Sequence, residues 1–575
     1  IKLSYFIMDF KDSIAKLIAK ETGQKVNEIV SKLEVPPKGM GDFAFPSFTL
    51  AKAQKKAPNA ISNDLAAKIS ADFIEKVEAK GPYVNFFLSK SSLSESVLKS
   101  IFDGKFIKKT EKGSVMLEYS GPNTNKPLHV GHLRNSSLGM AFSNLLEVVG
   151  LKVIRANIIN DRGVHIMKSM LAYQKFGEGK TPKSEGKKSD HFVGDMYVLY
   201  AQKVAKNPEL EEEAKAMLAK WEAGDKEIIA LWKKMNKWAI DGMKETYDLF
   251  GSEFEEWFYE SENFKLKAGH KIIEEGLAKG VFQKEDNGAI AAVLEPEIKN
   301  KILLRGDGTA LYATNDLGVT QNRFDNFKLD KCIWVVASEQ DFYFKQLFAI
   351  FEKLGRKWAD KCQHLSYGMV NLTSGKMKSR EGTVVDADDL IEEIKQLALA
   401  EIEKRYENLS EKEKNKRALA ISLGAIKFFL LKNDAKKEIL FDPKASLAFE
   451  GETGPYLQYA YARANSILRK AKAEKKKYKQ KNFDLLKENK EKELIIELQK
   501  FSDAVAKSYE QLSLHPIAHS LLSIAEKFNS FYHEVNVLKS DSQELLNARL
   551  SLVEATMIVM KKGLSILDIV AIEEM

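Results

Sequence analysis

The stretch "SGPNTNKPLHVGHLRNSSLG", from Ser120 to Gly139, decides how the rest of the chain is interpreted. It follows a short apolar run, "VMLEYS" (115–120), and leads into a segment whose apolar residues recur at helical spacing as far as Gly150. A second strand, "KVIRANIIND", is predicted next, so the order is strand, loop, helix, strand. This order is typical of the start of a parallel sheet that binds nucleotides at its loops.

The loop carries side chains that suit a phosphate. His129 and His132 fall in the first turn of the predicted helix, where free backbone N–H groups and the helix dipole attract negative charge. Imidazole donors at that place can hold the oxygens of an α-phosphate while charge develops on it. Gly131 has no Cβ, so an adenine ring could lie against the backbone, and Lys126 offers a positive charge to the phosphates.

The composition is that of an ordinary globular protein with room for several domains. The chain has 575 residues, of which 44 % are hydrophobic and 30 % are charged, and its formal net charge is +8. This basic excess fits a polyanionic partner, although a lysine-rich surface explains it equally well. The two cysteines, Cys332 and Cys362, form no Cys-x-x-Cys pair, which disfavours a disulfide framework and a thiolate zinc site.

The sequence predicts neither a membrane span nor a secretory signal. No apolar run is long enough to cross a bilayer. The first residues, "IKLSYFIMDFKDS", become charged too soon for a signal peptide, and Met8 is a candidate for the natural start. We therefore expect a protein of the cytoplasm.

Changes in composition divide the chain into three predicted domains. Residues 8–110 form a small α+β domain with a helix in "MDFKDSIAKLIAKETG", a strand in "GPYVNFFLSK" and a polar linker. Residues 111–404 form the parallel-sheet domain, with a mostly helical insertion at about 165–285 and strands in "ALYATNDLG" and "DKCIWVVASEQ". Residues 405–575 form an antiparallel helical bundle. The basic run 469–481 within it favours a solvated helix end slightly over an RNA contact.

Two short motifs carry a resemblance to a known family. "HVGH" (129–132) and "GKMKSREG" (375–382) resemble the HIGH and KMSKS signatures of class I aminoacyl-tRNA synthetases. Each is weak alone, but in this order, each beside a predicted strand, they are specific. The resemblance implies a Rossmann-type α/β catalytic domain between the N-terminal α+β domain and the C-terminal bundle.

Longer stretches narrow the resemblance to the arginyl family. "EYSGPNTNKPLHVGHLRNS" is similar to that family's first signature, "YATNDLG" and "ASEQDFYFKQ" to two pocket strands, and "GPYLQYAYARANSILRK" to a helix of its anticodon domain. "GDFAFPSFTLAK" is similar to an N-terminal domain found only in arginyl enzymes, so the resemblance covers about residues 8–575. It implies a monomeric arginine–tRNA ligase that activates L-arginine with ATP and Mg²⁺ and transfers it to tRNA(Arg), without a tightly bound protein metal.

The resemblance also assigns an arginine pocket. A guanidinium needs carboxylates and planar acceptors for its five donors. Asp316 is the expected guanidinium partner, with Tyr312 packing on its plane, and Glu118 is expected to take the α-ammonium. Without the motif context, both acids would be interpreted as surface residues at strand ends. The remaining expected arginine contacts are Ser120, Asn123 and Gln340.

The second signature departs from its family pattern. Its fourth position, normally lysine, is Ser379, with Lys378 before it and Arg380 after it. Some arginyl enzymes instead carry a lysine just before the first signature, where Lys126 lies. We therefore expect Lys126 and Lys376 to neutralise the triphosphate, beside His129 and His132 and with assistance from Lys378 or Arg380.

The strand before the second signature is expected to contact adenine. "YGMV" (367–370) resembles a strand whose backbone groups, here at Gly368, Met369 and Val370, bind the adenine edge.

The two flanking domains are expected to bind tRNA. Unpaired bases stack on aromatic side chains, and Tyr456 and Tyr459 lie three residues apart on one predicted helix face. Tyr532 and the terminal Met575 are weaker candidates, since a role in the core explains Tyr532 equally well. Asn85 and Phe86 in the N-terminal domain are expected to contact the tRNA elbow.

Three other functions compete with the first. One is a different class I ligase: a cysteine enzyme is disfavoured by the missing zinc thiolates, and a glutamine or glutamate enzyme by the bundle and the N-terminal domain. A paralogue that has lost catalysis is disfavoured because His129, His132, Asn123, Asp316 and Lys376 are all present. A small HIGH-type nucleotidyltransferase would not need the C-terminal bundle.

Overall fold

The fold is taken from a computed structural model that describes residues 5–37, 39–266, 268–372, 385–406 and 408–575. The contacts divide the chain into two compact units. One contains Ile1–Lys108, Phe449–Ser565 and Val570–Met575, and the other contains Lys109–Ala448 and Ile566–Ile569. The predicted boundaries at residues 110 and 404 stay a prediction, since the units divide the chain at other places. Among the described residues, no helix combines the length and apolarity that crossing a membrane requires.

A five-stranded parallel sheet forms the centre of the second unit. From one edge to the other, its strands are Cys362–Tyr367, Lys331–Ala337, Ser114–Glu118, Lys152–Ile159 and Glu256–Tyr259. After Ser114–Glu118 the chain adds Lys152–Ile159 and Glu256–Tyr259 toward one edge of the sheet. It later adds Lys331–Ala337 and Cys362–Tyr367 on the other side of Ser114–Glu118. Side chains of "VML" (115–117) are fully buried because helices cover both faces of a parallel sheet. The predicted strands at 115–120, in "KVIRANIIND" and in "DKCIWVVASEQ" are confirmed.

The predicted insertion is mostly helical, as expected, but it also contributes to the sheet. Its helices are Val164–Phe176, Ser189–Val204, Leu210–Glu222, Lys226–Phe250, Glu260–Leu266 and Ala268–Ala278. Between the fourth and fifth of them, Glu256–Tyr259 forms the edge strand. The other α-helices of this unit are Val130–Val148, Tyr312–Phe327, Asp341–Lys353, Ala387–Arg405, Glu411–Leu431 and Pro443–Ser446.

Two segments that were expected to be strands are helical. "ALYATNDLG" belongs largely to the helix Tyr312–Phe327, and "ASEQDFYFKQ" continues from its strand into a 3₁₀ turn and the helix Asp341–Lys353. The first prediction was wrong because a four-residue apolar run was weighed above a longer pattern. Ala313, Leu317, Thr320 and Phe324 are all buried, and their spacing of four, three and four residues is helical.

Short strands were also missed in this unit. Phe282–Lys284, Ile290–Ala292 and Lys301–Leu304 form a small antiparallel sheet. Ile439–Phe441 pairs in parallel with Val370–Leu372, the strand that precedes the second signature. Strands of three or four residues carry too little alternation to be recognised in the sequence.

The N-terminal part of the first unit is an α+β fold with its own core. Its sheet has the order Phe43–Pro46, Tyr83–Leu88, Ile74–Lys80, and all pairs are antiparallel. The predicted helix and the "GPYVNFF" strand are confirmed, and two strands were not predicted. The α-helices are Tyr5–Thr22, Val26–Lys32, Ala51–Gln54, Pro58–Lys68 and Lys90–Phe102.

The C-terminal part of the first unit is helical. Its long helices are Gly454–Ala473, Asn489–Gln511, His515–Glu534 and Gln543–Ile566. Thr453 caps the first of them by accepting the N–H of Tyr456 at 3.2 Å. The ring of Phe102 stacks on Phe483 with 6.0 Å between centroids, so the N-terminal and C-terminal parts of this unit contact each other.

Candidate active site

The first signature turn connects the central strand to the helix Val130–Val148. Ser120 takes a positive φ of 75° directly after the strand, and its backbone N–H donates to Oδ1 of Asn135 at 2.6 Å. The amide of Asn135 donates in turn to the carbonyl of Val335 at 2.8 Å and to the hydroxyl of Tyr367 at 3.0 Å. Asn135, which the sequence analysis did not single out, thus joins the turn to two neighbouring strands.

The two signature histidines cap the helix together. Nδ1 of His129 accepts the N–H of Gly131 at 3.1 Å, and Nδ1 of His132 accepts the N–H of His129 at 3.1 Å. A ring nitrogen that accepts a hydrogen bond carries no proton, so each neutral ring carries its proton on Nε2. Each histidine therefore offers one Nε2–H donor to a ligand.

Burial keeps both rings uncharged. Burial and, to a smaller extent, the charge of Lys126 lower the pKa of His129 to about 4. The pKa of His132 is held well below its usual value by burial, by His129 and by Lys126. Because the ring centroids are 3.9 Å apart, two imidazolium charges there would also repel each other. At neutral pH the pair acts through hydrogen bonds and carries no positive charge.

A cavity of about 580 Å³ lies beside the histidines. Glu118 and Val335–Ala337 contribute to its lining, so the cavity lies between the neighbouring strands Ser114–Glu118 and Lys331–Ala337. Between these two strands the order in which the chain adds strands to the sheet changes direction. That crevice, beyond the carboxyl ends of the strands, is where open parallel sheets bind ligands. The cavity brings together these predicted site residues: Glu118, Ser120, His129, Gly131, His132, Met369 and Val370.

Other predicted arginine contacts lie outside the lining of that cavity. Asn123 and Gln340 are exposed, and Tyr312 is 71 % exposed at the start of its helix. Asp316 lies one turn further along that helix, and its carboxylate accepts a hydrogen bond from the hydroxyl of Tyr343. Burial raises the pKa of Asp316 to about 6, and the nearby charge of Glu118 raises it as well.

Glu118 already has a cationic partner. Its Oε2 accepts a hydrogen bond from the buried guanidinium of Arg323, which also lies 4.5 Å from the ring of Phe258. Sequence analysis missed both Arg323 and Tyr343. Arg323 follows Asp316 by seven residues, which places them on one helix face, so a correct helix prediction would have indicated it.

Residues 385–387, the first described residues after the second signature, lie next to the first signature. Val130 donates to the carbonyl of Val385 at 2.9 Å, and Ala387 donates to the carbonyl of Leu128 at 3.0 Å. The predicted triphosphate contacts Lys376, Lys378, Ser379 and Arg380 lie outside the described residues. Lys126 is half-buried in the turn.

One group of three potential metal ligands occurs among the described residues, and a lysine lies within it. Asp190, His191 and Asp388 lie together, but the Nζ of Lys188 is 2.6 Å from the carboxylate of Asp388. His191 Nε2 lies 3.1 Å from the same carboxylate. These contacts hold the pKa of Asp388 down at about 2, although burial acts in the opposite direction. The arrangement is an ion-pair network between the insertion and the segment after the second signature.

The predicted tRNA-binding tyrosines form a cluster in the first unit, which we call the tyrosine cluster. The guanidinium of Arg463 lies 4.7 Å from the ring of Tyr459 and 4.9 Å from that of Tyr532. Asn529 accepts a hydrogen bond from Arg463 at 2.6 Å and donates to the hydroxyl of Tyr456 at 3.1 Å. Arg463 and Asn529 were missed, although Arg463 follows Tyr459 by one helical turn. Tyr532 is exposed and the other two tyrosines are half-buried.

Two predicted RNA contacts in the N-terminal domain are buried. Phe86 is 0 % exposed and Asn85 is 3 % exposed, both in the middle strand of the antiparallel sheet. Their burial contradicts the expectation that these side chains contact RNA directly. The strand lies between Phe43–Pro46 and Ile74–Lys80, neither of which was predicted. The terminal Met575 is half-buried.

Family models match almost the entire chain. Residues 8–88 match the arginyl tRNA synthetase N-terminal domain, residues 96–442 match the catalytic domain of class I (R) tRNA synthetases, and residues 457–575 match the DALR anticodon binding domain.

Individual relatives agree. An arginine–tRNA ligase of Treponema denticola is 47 % identical over 577 residues, which cover 97 % of each chain. An arginine–tRNA ligase of Borrelia duttonii is 40 % identical, with 99 % of each chain covered. The solved arginyl-tRNA synthetase of Thermus thermophilus superposes with a TM-score of 0.80 at 27 % identity, covering 99 % of this chain and 100 % of that one. Given these matches over its whole length, the chain belongs to the arginyl-tRNA synthetase family, within class I of the aminoacyl-tRNA synthetases.

Proposed function

We infer that the protein is an arginine–tRNA ligase, which joins L-arginine to the 3′ end of tRNA(Arg) with ATP. The observation that carries this inference is the position of Glu118. It lines the cavity of the two histidines, and its charge acts on the buried carboxyl of Asp316. We propose that the donors beside the cavity bind phosphate oxygens and that Glu118 and the neighbouring Asp316 supply carboxylates for arginine.

The first step forms arginyl-adenylate. A carboxylate oxygen of arginine attacks the α-phosphorus of ATP, the bond to the bridging oxygen breaks, and pyrophosphate leaves with that electron pair. The Nε2–H groups of His129 and His132 donate to the phosphate oxygens as negative charge builds up. Because both rings are neutral, they need not lose a proton. Mg²⁺ accompanies the ATP phosphates rather than occupying a protein cage.

Lysines around the turn complete the phosphate site. Lys126 precedes the histidines, and we propose that it neutralises the triphosphate together with Lys376. Lys378, Ser379 and Arg380 remain proposed assistants from the second signature.

Asp316 is the proposed anchor of the guanidinium. Burial is the main cause of its pKa near 6, and an arriving guanidinium would lower that pKa. Glu118 already forms an ion pair with Arg323. We therefore propose that it contributes less to arginine binding than Asp316 does, through a contact with the α-ammonium. We propose that Tyr312 packs on the guanidinium plane. Ser120, Asn123 and Gln340 remain the proposed contacts of the amino and carboxylate end.

The adenine edge would meet the strand Val370–Leu372. Met369 O already accepts the N–H of Ile439 at 2.9 Å, and Gly368 N–H donates to Ala435 O at 2.9 Å. In a parallel pair, alternate residues direct their backbone groups to opposite sides, so the register Val370–Ile439 directs the groups of Val370 away from the paired strand. We therefore propose the N–H and C=O of Val370 as the adenine contacts, with Gly131 opposite.

In the second step, the terminal ribose hydroxyl of tRNA attacks the carbonyl carbon of the adenylate and AMP leaves. We propose that the tyrosine cluster stacks on unpaired bases of the anticodon, and that Met575 lies beside it. In this proposal, residues 8–110 bind the tRNA elbow, residues 111–404 catalyse, and residues 405–575 bind the anticodon. Action as a monomer in the cytoplasm stays part of the prediction.

Aminoacylation of total tRNA with each radiolabelled amino acid tests the function. We expect charging by arginine alone, and a loss of at least about 100-fold in kcat/KM for arginine in Asp316→Ala, since a buried guanidinium would lose its carboxylate. Lys126→Ala, compared with Lys152→Ala at the opposite end of the sheet, tests the phosphate assignment. Folded wild-type protein that charges no tRNA, or charges another amino acid, would overturn the inference.

A further inference from the structure

Arg134 is a fully buried cation whose hydrogen bonds, among the described residues, go to backbone carbonyls. It lies one turn into the signature helix and is 0 % exposed. Nη1 donates to the carbonyls of Gly368 at 2.6 Å and Met369 at 3.0 Å. Nη2 donates to the carbonyls of Ala435 and Lys437, each at 2.7 Å.

These four bonds join three separate segments at one point. They hold the start of the signature helix, the turn between Tyr367 and Val370, and the segment 435–437 that leads to the strand Ile439–Phe441. A planar guanidinium can direct its two terminal nitrogens to four acceptors in fixed directions, whereas a lysine has a single nitrogen. The segments also approach closely: a Cβ on Gly368 would lie 2.7 Å from the carbonyl oxygen of Lys436.

The turn between Tyr367 and Val370, which Arg134 holds and which we call the clamped turn, is part of the cavity wall. Tyr367, Met369, Val370 and Asn371 all line the cavity beside the histidines. The ring of Tyr367 lies 5.7 Å from the guanidinium carbon of Arg134. A shift of the turn would therefore move the backbone groups of Val370, to which the adenine edge is assigned. Burial lowers the pKa of Arg134 to about 10, which leaves it charged at neutral pH.

We propose that Arg134 is a positioning residue for ATP: through four backbone carbonyls it holds the strand Val370–Leu372 in register with the signature histidines. Arg134 touches no substrate in this proposal and acts through the position of the strand. The proposal rests on the proposed function, since it concerns the nucleotide of that reaction. The proposed guanidinium anchor, Asp316, lies outside the lining of the cavity that this turn borders, so arginine binding should be little affected.

The test compares Arg134→Lys with Arg155→Lys in the full-length protein. Arg155 is the matched control because it is also buried and also joins the signature helix to its surroundings, through Glu147 at 2.9 Å and Glu255 at 3.0 Å. We expect Arg134→Lys to raise KM for ATP roughly 10- to 100-fold, as small displacements of positioning groups do, with KM for arginine changed less than about twofold. Arg155→Lys should change neither KM. Calorimetry of ATP binding should show the same loss without turnover.

A second variant guards against misfolding of the first. Gly368→Ala keeps Arg134 but pushes the clamped turn away from Lys436, so it should raise KM for ATP in the same selective way. Equal rises in both KM values, or unchanged ATP binding in a folded Arg134→Lys protein, would show that Arg134 serves stability only. If wild-type protein and Arg155→Lys charge tRNA normally, such a result would overturn this proposal and leave the proposed function intact.

Discussion

Nδ1 of His132 accepts the backbone N–H of His129 at 3.1 Å, so the two signature histidines are fixed to each other as well as to the helix. The bond assigns the proton of His132 to Nε2. Nδ1 of His132 therefore holds the helix cap, while Nε2 is available to a ligand. A substitution can remove the second function and keep the first.

His132→Asn is expected to keep the cap and lose the catalytic donor. The Oδ1 of asparagine can replace Nδ1 as acceptor, but no atom replaces Nε2–H. We expect kcat for arginine activation to fall about 100- to 1,000-fold, as for the loss of other transition-state donors. The melting temperature should change little. His165→Asn, at an exposed histidine near Tyr197, should retain full activity. Near-normal turnover by His132→Asn would contradict the assignment of the donor.

The depressed pKa of His129 makes stability depend on pH. In the unfolded chain the ring titrates near 6.5, whereas in the fold it titrates at about 4. As pH falls from 6.5 to 4, the unfolded state binds a proton that the folded state excludes, so the free energy of unfolding falls by up to about 3 kcal/mol. Urea unfolding of the wild type and His129→Asn across this range isolates the effect, because groups common to both cancel. A difference that does not change with pH would contradict the depressed pKa.

Arginine binding should weaken in mild acid because of Asp316. Its pKa is about 6, and only the ionised carboxylate attracts a guanidinium. We expect KM for arginine to be constant above pH 7 and to rise roughly tenfold per unit well below pH 6. In Asp316→Asn, KM should be high and nearly independent of pH. Asp307→Asn, in an exposed turn, should follow the wild type. A flat wild-type profile would move the guanidinium site elsewhere.

The tyrosine cluster should affect tRNA and leave ATP unaffected. Arg463 holds two rings and Asn529, and lysine lacks the planar group that stacks between them. We expect Arg463→Lys to raise KM for tRNA roughly 5- to 100-fold, the range for losing one stacked base. KM for ATP and arginine should be unchanged. Arg549→Lys, at a half-buried arginine paired with Glu491 at 2.7 Å in the same bundle, is the matched control. Equal effects of the two variants would point to bundle stability instead.

Local patterns in the sequence predicted the catalytic framework. The turn from Ser120 to the signature helix follows from residues that are neighbours in the chain, and the structure has the strand, turn and helix in the expected order. The helix Tyr312–Phe327 was missed because a short apolar run resembled a strand, and Arg323 was missed with it. The carbonyls that accept from Arg134 lie at least 234 residues away in the chain, and Val335, which accepts from Asn135, lies 200 residues away. No local pattern indicates such partners, so these two residues became visible only in the fold.

The ring contacts between the N-terminal and C-terminal parts of the first unit have a consequence for synthesis. Phe102 and Phe106 contact Phe483 and Phe501, residues that are made only after the whole of 109–448. At about 5–20 residues per second, the ribosome takes roughly 20 to 70 s to bridge that interval. The N-terminal fold has its own core and can form early, but Phe102 and Phe106 lack these two ring contacts during this time. The nascent chain therefore exposes more of these two apolar rings than the complete protein does, and a truncation before the bundle would make that exposure permanent.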